Sequence, residues 1–167
     1  MEATIITMQR IKKDIDVNAS LRAVYNQWTQ FEEFSHFMEG IKSVRQHDER
    51  HLAWKAEILG QAVEWEAEIT EQIPDKRISW RSTSGHPNTG TVSFTAIDPG
   101  TTKVSLVVEY EPQGAAEKIA DALGAVSLRI GGDLKRFKKF IEDRGTATGG
   151  WRGSIPPYDD DDPLGAD

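Results

Sequence analysis

Apolar and polar residues alternate with a period of two between residues 51 and 110. Such alternation is typical of half-buried β-strands, which turn one face to the core and the other to water. Turn-forming residues separate five runs of this kind, and short connections join antiparallel neighbours. The pattern predicts five strands with these inward positions: Leu52, Trp54, Ala56 and Ile58; Val63, Trp65, Ala67 and Ile69; Ile78, Trp80 and Ser82; Val92, Phe94 and Ala96; and Val104, Leu106, Val108 and Tyr110.

Two further strands and two short helices are predicted before residue 51. Residues 10–17 and 41–46 extend the sheet to about seven antiparallel strands. Between them, a short helix over residues 20–29 begins after a capping Ser20, and a second short helix covers residues 31–38. Both short helices therefore follow the first strand.

A long helix over residues 115–144 follows the last predicted strand, and its apolar residues recur every three or four positions. A helix is about 10 Å across, whereas a seven-stranded sheet is about 30 Å wide. Since one helix cannot cover a flat sheet of that width, the sheet must curl around it, and a curled sheet tends to enclose a cavity. The sequence thus predicts an α+β fold with a curved antiparallel sheet around a C-terminal helix and an apolar pocket between them.

Length and composition indicate one domain with an extension. The chain has 167 residues, enough for a single core. We assign residues 9–145 to the domain. Residues 146–167 are rich in Gly, Pro and Asp and predict a flexible acidic tail, in which Trp151 is the side chain most able to fold back onto the domain.

Charge and residue usage exclude several classes of function. Lys and Arg total 20 against 27 Asp and Glu, so a net charge of −7 argues against nucleic-acid binding. The absence of cysteine excludes disulfides, zinc ribbons and thiolate catalysis. No apolar run is long enough to span a membrane, and the first residues lack the features of a signal peptide, so we expect a cytoplasmic protein.

The sequence contains no recognisable catalytic, cofactor or metal motif. The nucleophile elbow, the phosphate loop and the dinucleotide fingerprint are all absent from it. His47 and His51 have a spacing that would suit two metal ligands on a helix, but they flank a predicted hairpin turn and lack a third ligand. We therefore expect no metal and no cofactor, and catalytic residues remain unassigned.

Several segments spread along nearly the whole domain resemble a known family. The segments AVYNQWTQFEEFSHFMEGI, WEAEITEQIPDKRISWRSTSG, TKVSLVVEYEP and GDLKRFKKFIE resemble the START-like, Bet v 1-like (SRPBCC) superfamily, in its bacterial polyketide cyclase/dehydrase and lipid-transport branch. The resemblance spans about residues 9–144. It implies a helix-grip fold with a hydrophobic cavity, in which members bind lipids, quinones, sterols or polyketides and some catalyse cyclisation or dehydration. The family has no fixed catalytic motif.

Three tryptophans are the most informative candidates for the wall of the cavity. Trp54, Trp65 and Trp80 occupy inward positions of successive strands, where they suit a flat apolar ligand. Simple filling of the core explains the same pattern. The complete predicted lining is Trp54, Trp65, Trp80, Phe94, Leu106, Tyr110, Ser82, Leu123, Val126 and Ile130.

A few polar side chains are candidates for contact with a ligand. Tyr110 and Ser82 have inward parity and can form hydrogen bonds. His36, Phe37 and His86 are predicted at the cavity mouth. Lys13 falls on the same, inward-facing side of its strand as its apolar neighbours. Because an inward lysine needs a partner or a depressed pKa, we expect a strand irregularity to turn it outward.

Three functions are compatible with these features. The first is a carrier or sensor of a hydrophobic small molecule such as a lipid, quinone or polyketide-like compound. The second is a cyclase or dehydratase in which Tyr110, His86 or Lys13 handles protons. The third is a protein-interaction module with a vestigial pocket, whose partner, or a second copy of the chain, meets the acidic tail or Phe31, Phe34 and Phe37.

Overall fold

The computed structural model describes residues 9–58, 60–85, 87–111 and 116–157, with the backbone alone at residue 58 and at residues 116–125. Its seven strands form one antiparallel sheet in the order β1-β7-β6-β5-β4-β3-β2. The elements are β1 (Gln9–Val17), α1 (Leu21–Trp28), a 3-10 helix (Phe31–His36), β2 (Ile41–Gln46), β3 (His51–Ile58), β4 (Gln61–Ile73), β5 (Arg77–Ser84), β6 (Asn88–Asp98), β7 (Thr101–Tyr110) and α2 (Ala116–Arg144).

This architecture confirms the predicted helix-grip fold. Strands β2 to β6 each pair with the strand that follows, as their short connections require, and β1 lies at the edge of the sheet next to β7. Helix α2 crosses the inner face of the curved sheet, and α1 and the 3-10 helix follow β1 as expected.

Helix α1 begins at a capped end and buries one face. The Ser20 hydroxyl oxygen accepts a hydrogen bond from the Ala23 N–H at 3.2 Å, which satisfies one of the free donors of the first turn. Val24, Tyr25 and Trp28 recur along the buried face of the helix. The helix therefore covers one end of the inner sheet surface.

The solid part of the core lies under α1. Phe94 is 5% exposed, and its ring makes edge contacts with Tyr25 and Trp28 at centroid distances of 5.4 and 6.1 Å. Trp28 also packs against Phe137 of α2 at 4.9 Å. This end of the sheet is filled by protein, which leaves the other end less completely covered.

Strand β1 is regular along its whole length. Its register with β7 runs without interruption from Gln9 opposite Tyr110 to Val17 opposite Thr102. The expected irregularity at Lys13 is therefore wrong: the residue stays on the face of Ile11 and is half-buried. Because β1 is an edge strand, a long lysine there can reach solvent without a break in the strand.

Residues 146–157 pack onto the domain. Ile155 is 1% exposed and forms a β-bridge with Gln72, with both N···O distances at 2.8 Å. The Arg152 guanidinium donates to Asp75 and Asn26 and lies over the Tyr25 ring. This part of the predicted flexible tail is thus docked, because it supplies a core residue and backbone hydrogen bonds that its polar composition does not reveal. Residues 158–167, with the acidic run Asp159–Asp162, lie outside the described part of the chain.

Candidate functional site

A partly enclosed cavity of about 260 Å³ lies between the inner face of the sheet and α2. This volume is slightly below the usual range for small-molecule sites, which begins at about 300 Å³. Apart from four polar side chains, the wall is aliphatic or aromatic. The lining residues are Trp28, Phe31, Phe34, Met38, Glu39, Ile41, Leu52, Trp54, Trp65, Ile69, Trp80, Asn88, Leu106, Val108, Tyr110, Val126, Arg129, Ile130, Asp133 and Leu134.

Two tryptophans form a flat part of the wall on β3 and β4. Trp54 and Trp65 are directly opposite in the strand register. Their rings are stacked with centroids 5.7 Å apart and planes within 4° of parallel. Both rings are only partly buried. Both residues line the cavity as a stacked pair.

Trp80 extends this wall across β5 because its neighbour on β6 has no side chain. Trp80 is directly opposite Gly90. A Cβ atom at Gly90 would come within 2.1 Å of the Trp80 ring. The indole thus lies flat over the glycine backbone, and this close approach requires a glycine.

Helix α2 contributes a stripe that mixes apolar and charged residues. Val126, Ile130 and Leu134 line the cavity at intervals of four residues, which places them on one face of the helix. Arg129 and Asp133 lie on the same face and also line the cavity. The helix therefore brings two opposite charges to an otherwise apolar wall.

Asp133 is the most deeply buried charged group of this wall. It is 9% exposed, and its Oδ1 accepts hydrogen bonds from the Glu39 N–H at 3.0 Å and from the Arg136 guanidinium. Burial raises the pKa of its carboxyl group, and the bonds from Arg136 and Glu39, together with the charge of Arg129, only partly oppose that rise. A carboxyl group with a raised pKa can take up or release a proton nearer neutral pH than an ordinary one.

Tyr110, at the end of β7, is a lining residue with a buried hydroxyl group. The side chain is 9% exposed, and burial raises the pKa of the phenol. Among the residues that the structure describes, the hydroxyl has no hydrogen-bond partner. It is therefore a polar atom whose hydrogen-bonding capacity is unused.

The structure brings seven of the predicted lining residues together around the cavity. They are Trp54, Trp65, Trp80, Leu106, Tyr110, Val126 and Ile130. The side chain of Leu123 and the whole of His86 lie outside the described residues. Contact between the predicted lining residues and a ligand stays a prediction.

Four other predicted site residues lie elsewhere. Phe94 is in the solid core, because α1 covers its end of β6. The Ser82 hydroxyl accepts a hydrogen bond from the Asn88 N–H at 3.0 Å and so stabilises the turn between β5 and β6. Phe37 is 3% exposed and packs on Phe137 and Phe140, behind the cavity wall.

The fourth of these residues, His36, faces solvent. Its side chain is 61% exposed, its Nε2 is 3.1 Å from Glu33, and its ring stacks on Phe140. Phe31 and Phe34, proposed above as an exposed docking face together with Phe37, are instead buried at 4% and 2% exposure. The short helix therefore faces inward with its aromatic residues and outward with its charges.

Glu39, Arg129 and Asp133 are the functional candidates that sequence reasoning missed. The helical period contained a signal for two of them, since residues 129 and 133 share a face with Val126, Ile130 and Leu134. Charged residues within an apolar stripe indicate either a partly open face or a buried ion pair. Glu39 lies between two elements, and no periodicity marks it.

Other surface features do not resemble a small-molecule site. A larger depression of about 500 Å³ lies between the 3-10 helix, the β2–β3 turn and Trp151, but its lining is largely polar and acidic. In that turn the Asp48 carboxylate accepts from the backbone of Arg50 and His51 and contacts the His51 ring, which lowers the pKa of Asp48. No group of three potential metal ligands occurs in the described part of the chain.

None of the helices within the described ranges is both long and apolar enough to cross a membrane. Comparison with known proteins identifies a family for most of the chain. The profile of the family "Polyketide cyclase / dehydrase and lipid transport" matches residues 17–139. This match covers strands β2 to β7, both short helices and most of α2.

One curated relative and two solved structures illustrate the similarity. The chain is 43% identical over 149 residues to an "Uncharacterized 17.2 kDa protein" of Streptomyces lincolnensis, covering 89% of this chain and 99% of the relative. The Zhui aromatase/cyclase from Streptomyces sp. R1128 has a TM-score of 0.72 at 14% identity, covering 87% and 100% of the two chains. A START superfamily protein from Mycobacterium smegmatis has a TM-score of 0.61 at 20% identity, covering 81% and 95%.

Proposed function

Because the chain belongs to the polyketide cyclase/dehydrase and lipid transport family, we propose that it binds a hydrophobic small molecule in the cavity between sheet and α2. It acts in this proposal as a carrier or sensor. The observation that supports it best is the apolar cavity itself, walled by Trp54, Trp65 and Trp80. When a ligand covers the exposed part of these tryptophans, apolar surface is removed from water, and this burial favours binding.

The shape of the wall favours a flat ligand over a flexible chain. The paired rings of Trp54 and Trp65 are nearly parallel, and the Trp80 indole lies flat on Gly90. A rigid ring system loses little conformational freedom on binding to such a surface, whereas an acyl chain must be ordered bond by bond. We therefore expect bicyclic or tricyclic aromatic compounds to bind better than fatty acids of equal apolar area.

Saturable binding of an apolar probe tests this function. The fluorescent amine N-phenyl-1-naphthylamine, which carries no carbonyl group, is titrated into delipidated protein. We expect one site per chain and enhanced fluorescence of the probe. Absence of saturable binding to this probe and to a panel of lipids and quinones would refute the proposal.

A matched pair of variants on α2 assigns the binding to the cavity. Ile130→Trp places a large ring in the space that a ligand would fill, since Ile130 lines the cavity. Leu128→Trp makes a comparable change two residues away, at a side chain that is 79% exposed. We expect Ile130→Trp to weaken probe binding at least about tenfold and Leu128→Trp to leave it unchanged.

A cyclase or dehydratase activity in the same cavity is a second candidate. Two observations favour it: Asp133, whose buried carboxyl has a raised pKa, lines the cavity, and so does Tyr110, whose hydroxyl has no partner among the described residues. A carboxyl group of this kind can exchange a proton with a bound β-ketone. Turnover of a poly-β-ketone mimic by the wild type, lost in Asp133→Asn but retained in Asp143→Asn, would support this activity. No turnover by the wild type would exclude it for that substrate.

A further inference from the structure

Strand β1 has one edge that faces away from the rest of the sheet. It pairs with β7 on one side and is the terminal strand in the sheet order. Near its end the Asp16 carbonyl oxygen accepts a hydrogen bond from Lys138 Nζ at 2.8 Å, and the Asn18 N–H donates to the Glu142 carboxylate at 3.1 Å. Because backbone groups alternate between the two sides of a strand, the even-numbered residues of β1 turn their N–H and C=O groups toward this free edge, where another strand can add.

The charged side chains on the outer face of β1 follow an order that fits a second copy of the same strand. Arg10 and Lys12 precede Asp14 and Asp16, and all four are exposed. In two antiparallel copies of β1 with Lys13 opposite Lys13, Arg10 of one copy lies opposite Asp16 of the other. Lys12 then lies opposite Asp14. Charges on an edge strand usually discourage association, but in this arrangement each outer pair joins opposite charges.

These charges are poorly compensated within the described chain. Arg10, Lys12 and the Asp16 carboxylate form no ion pair with another described residue, and Asp14 is 3.7 Å from Lys103. The same even-numbered residues carry the free backbone groups, so each oppositely charged pair is also a hydrogen-bonded pair of the ladder. The bond from Lys138 leaves the Asp16 carbonyl oxygen one further lone pair for this ladder.

The sequence of β1 favours this register over its neighbours. A shift by two residues, which keeps the same side chains on each face, would place Lys12 opposite Lys12 or Asp14 opposite Asp14. On the inner face the favoured register brings Ile11 beside Ile15, which is only partly buried in the single chain. The two Lys13 side chains meet at the axis, where their long stems allow both amines to reach solvent.

We propose that two copies of this chain associate through β1, antiparallel and centred on Lys13, so that their sheets become one continuous sheet. The arrangement has the two-fold symmetry that closes a dimer. It does not involve the cavity and so stands apart from the proposed binding function. Because the contact is limited to one nine-residue strand from each copy, we expect a weak, concentration-dependent dimer.

Sedimentation of charge variants tests the pairing. The wild type should shift from the 18.7 kDa of one chain toward twice that mass as concentration rises. Lys12→Asp sets carboxylates opposite each other at two symmetric positions and should raise the dissociation constant at least about tenfold. The double variant Lys12→Asp/Asp14→Lys exchanges the two signs and should restore the dimer. Lys42→Asp makes the same change on β2, at the opposite edge of the sheet, and should leave the dimer unchanged.

A single cysteine tests the register independently. The chain contains no cysteine, so Lys13→Cys introduces one thiol per chain at the proposed axis. Opposite residues at such a non-hydrogen-bonded position have Cα atoms about 4.5 Å apart, within the range of a disulfide. Under mild oxidation we expect a disulfide-linked dimer on a non-reducing gel. Gln46→Cys, at an exposed position of β2, is the control and should remain a single chain.

The results that would overturn the proposal are specific. A wild type that sediments as one chain even at about 1 mM would exclude the dimer. A dimer that is unchanged in Lys12→Asp and is not cross-linked in Lys13→Cys would use another surface. Failure of the double variant to restore the dimer, or equal cross-linking of Lys13→Cys and Gln46→Cys, would refute the register centred on Lys13.

Discussion

Trp54 and Trp65 form a parallel, offset stack across neighbouring strands, with ring centroids 5.7 Å apart and planes 4° from parallel. Because the two residues are directly opposite in an antiparallel pair, the stack is fixed by the register of β3 and β4 and requires no loop. The wall that a ligand would meet is thus part of the rigid sheet. Sites on such elements are held more closely than sites on loops.

Replacement of one ring of this stack should weaken binding. We expect Trp65→Leu to reduce the affinity for N-phenyl-1-naphthylamine by about tenfold, because the ligand loses an aromatic contact and the stack that orients Trp54. Trp151→Leu is the matched control, since Trp151 does not line the cavity. Fluorescence titration measures both, and an equal loss of affinity in the two variants would contradict the assignment of the site.

The approach of Trp80 to Gly90 predicts a steric effect. In Gly90→Ala the new methyl group would displace the Trp80 ring toward the cavity, so we expect a loss of stability of about 1–3 kcal/mol together with weaker probe binding. Gly131→Ala in α2 provides the control, because no atom lies within 4 Å of a Cβ there. That variant should gain about 0.5–1 kcal/mol from helix propensity alone, measured by urea denaturation.

The docked segment after α2 predicts that Ile155 is a core residue. Ile155→Ala should reduce the free energy of unfolding by about 2–5 kcal/mol, the usual cost of truncating a buried isoleucine. Ile97→Ala makes the same change at a side chain that is 53% exposed and should cost about 0.5 kcal/mol or less. Equal stability of Ile155→Ala and the wild type in urea would show that the segment is not docked in solution.

The buried carboxyl group of α2 predicts a dependence of stability on pH. Burial raises the pKa of Asp133 in the folded protein above its value in the unfolded chain. Between those two values the folded state binds more protons, so this group lowers the free energy of unfolding as pH rises through that window. Asp133→Asn has no titrating group at this position and so lacks this decrease in the free energy of unfolding. As pH rises between the two pKa values, the stability of Asp133→Asn relative to the wild type should therefore increase, and above the higher pKa it should level off.

Urea denaturation between about pH 4 and pH 8 measures this difference for Asp133→Asn, in a range that begins near the ordinary carboxyl pKa. Asp143→Asn is the control for the removal of one negative charge, because Asp143 lies on the same helix with a side chain that is 62% exposed. A relative stability of Asp133→Asn that falls with rising pH would contradict the raised pKa.

The sheet could be predicted from sequence because its strands alternate so regularly. The parity of Trp54, Trp65 and Trp80 fixes which face their rings occupy, and a single long helix leaves part of that face uncovered. Parity does not show which end of the sheet is covered. Phe94 and Trp80 both occupy inward positions in the alternating pattern, but α1 packs over Phe94, whereas Trp80 lines the cavity.

The polar part of the site and the docked segment were less accessible to prediction. Asp133 is surrounded in sequence by charged residues and becomes a buried group only through long-range contacts with Glu39. Ile155 lies in a segment of Gly, Pro and Asp, and its burial depends on Gln72, which is remote in sequence. Local patterns carry no information on such partners.

The position of β1 at the edge of the sheet has a consequence for synthesis on the ribosome. Strands β2 to β6 each pair with the strand that follows, so hairpins can form as the chain emerges. Strand β1 pairs with β7 alone, so Gln9 cannot form its strand pairing until Tyr110 has been synthesised. Strand β1 is therefore synthesised well before the strand that it pairs with, and we expect nascent chains that stop before β7 to require protection by chaperones.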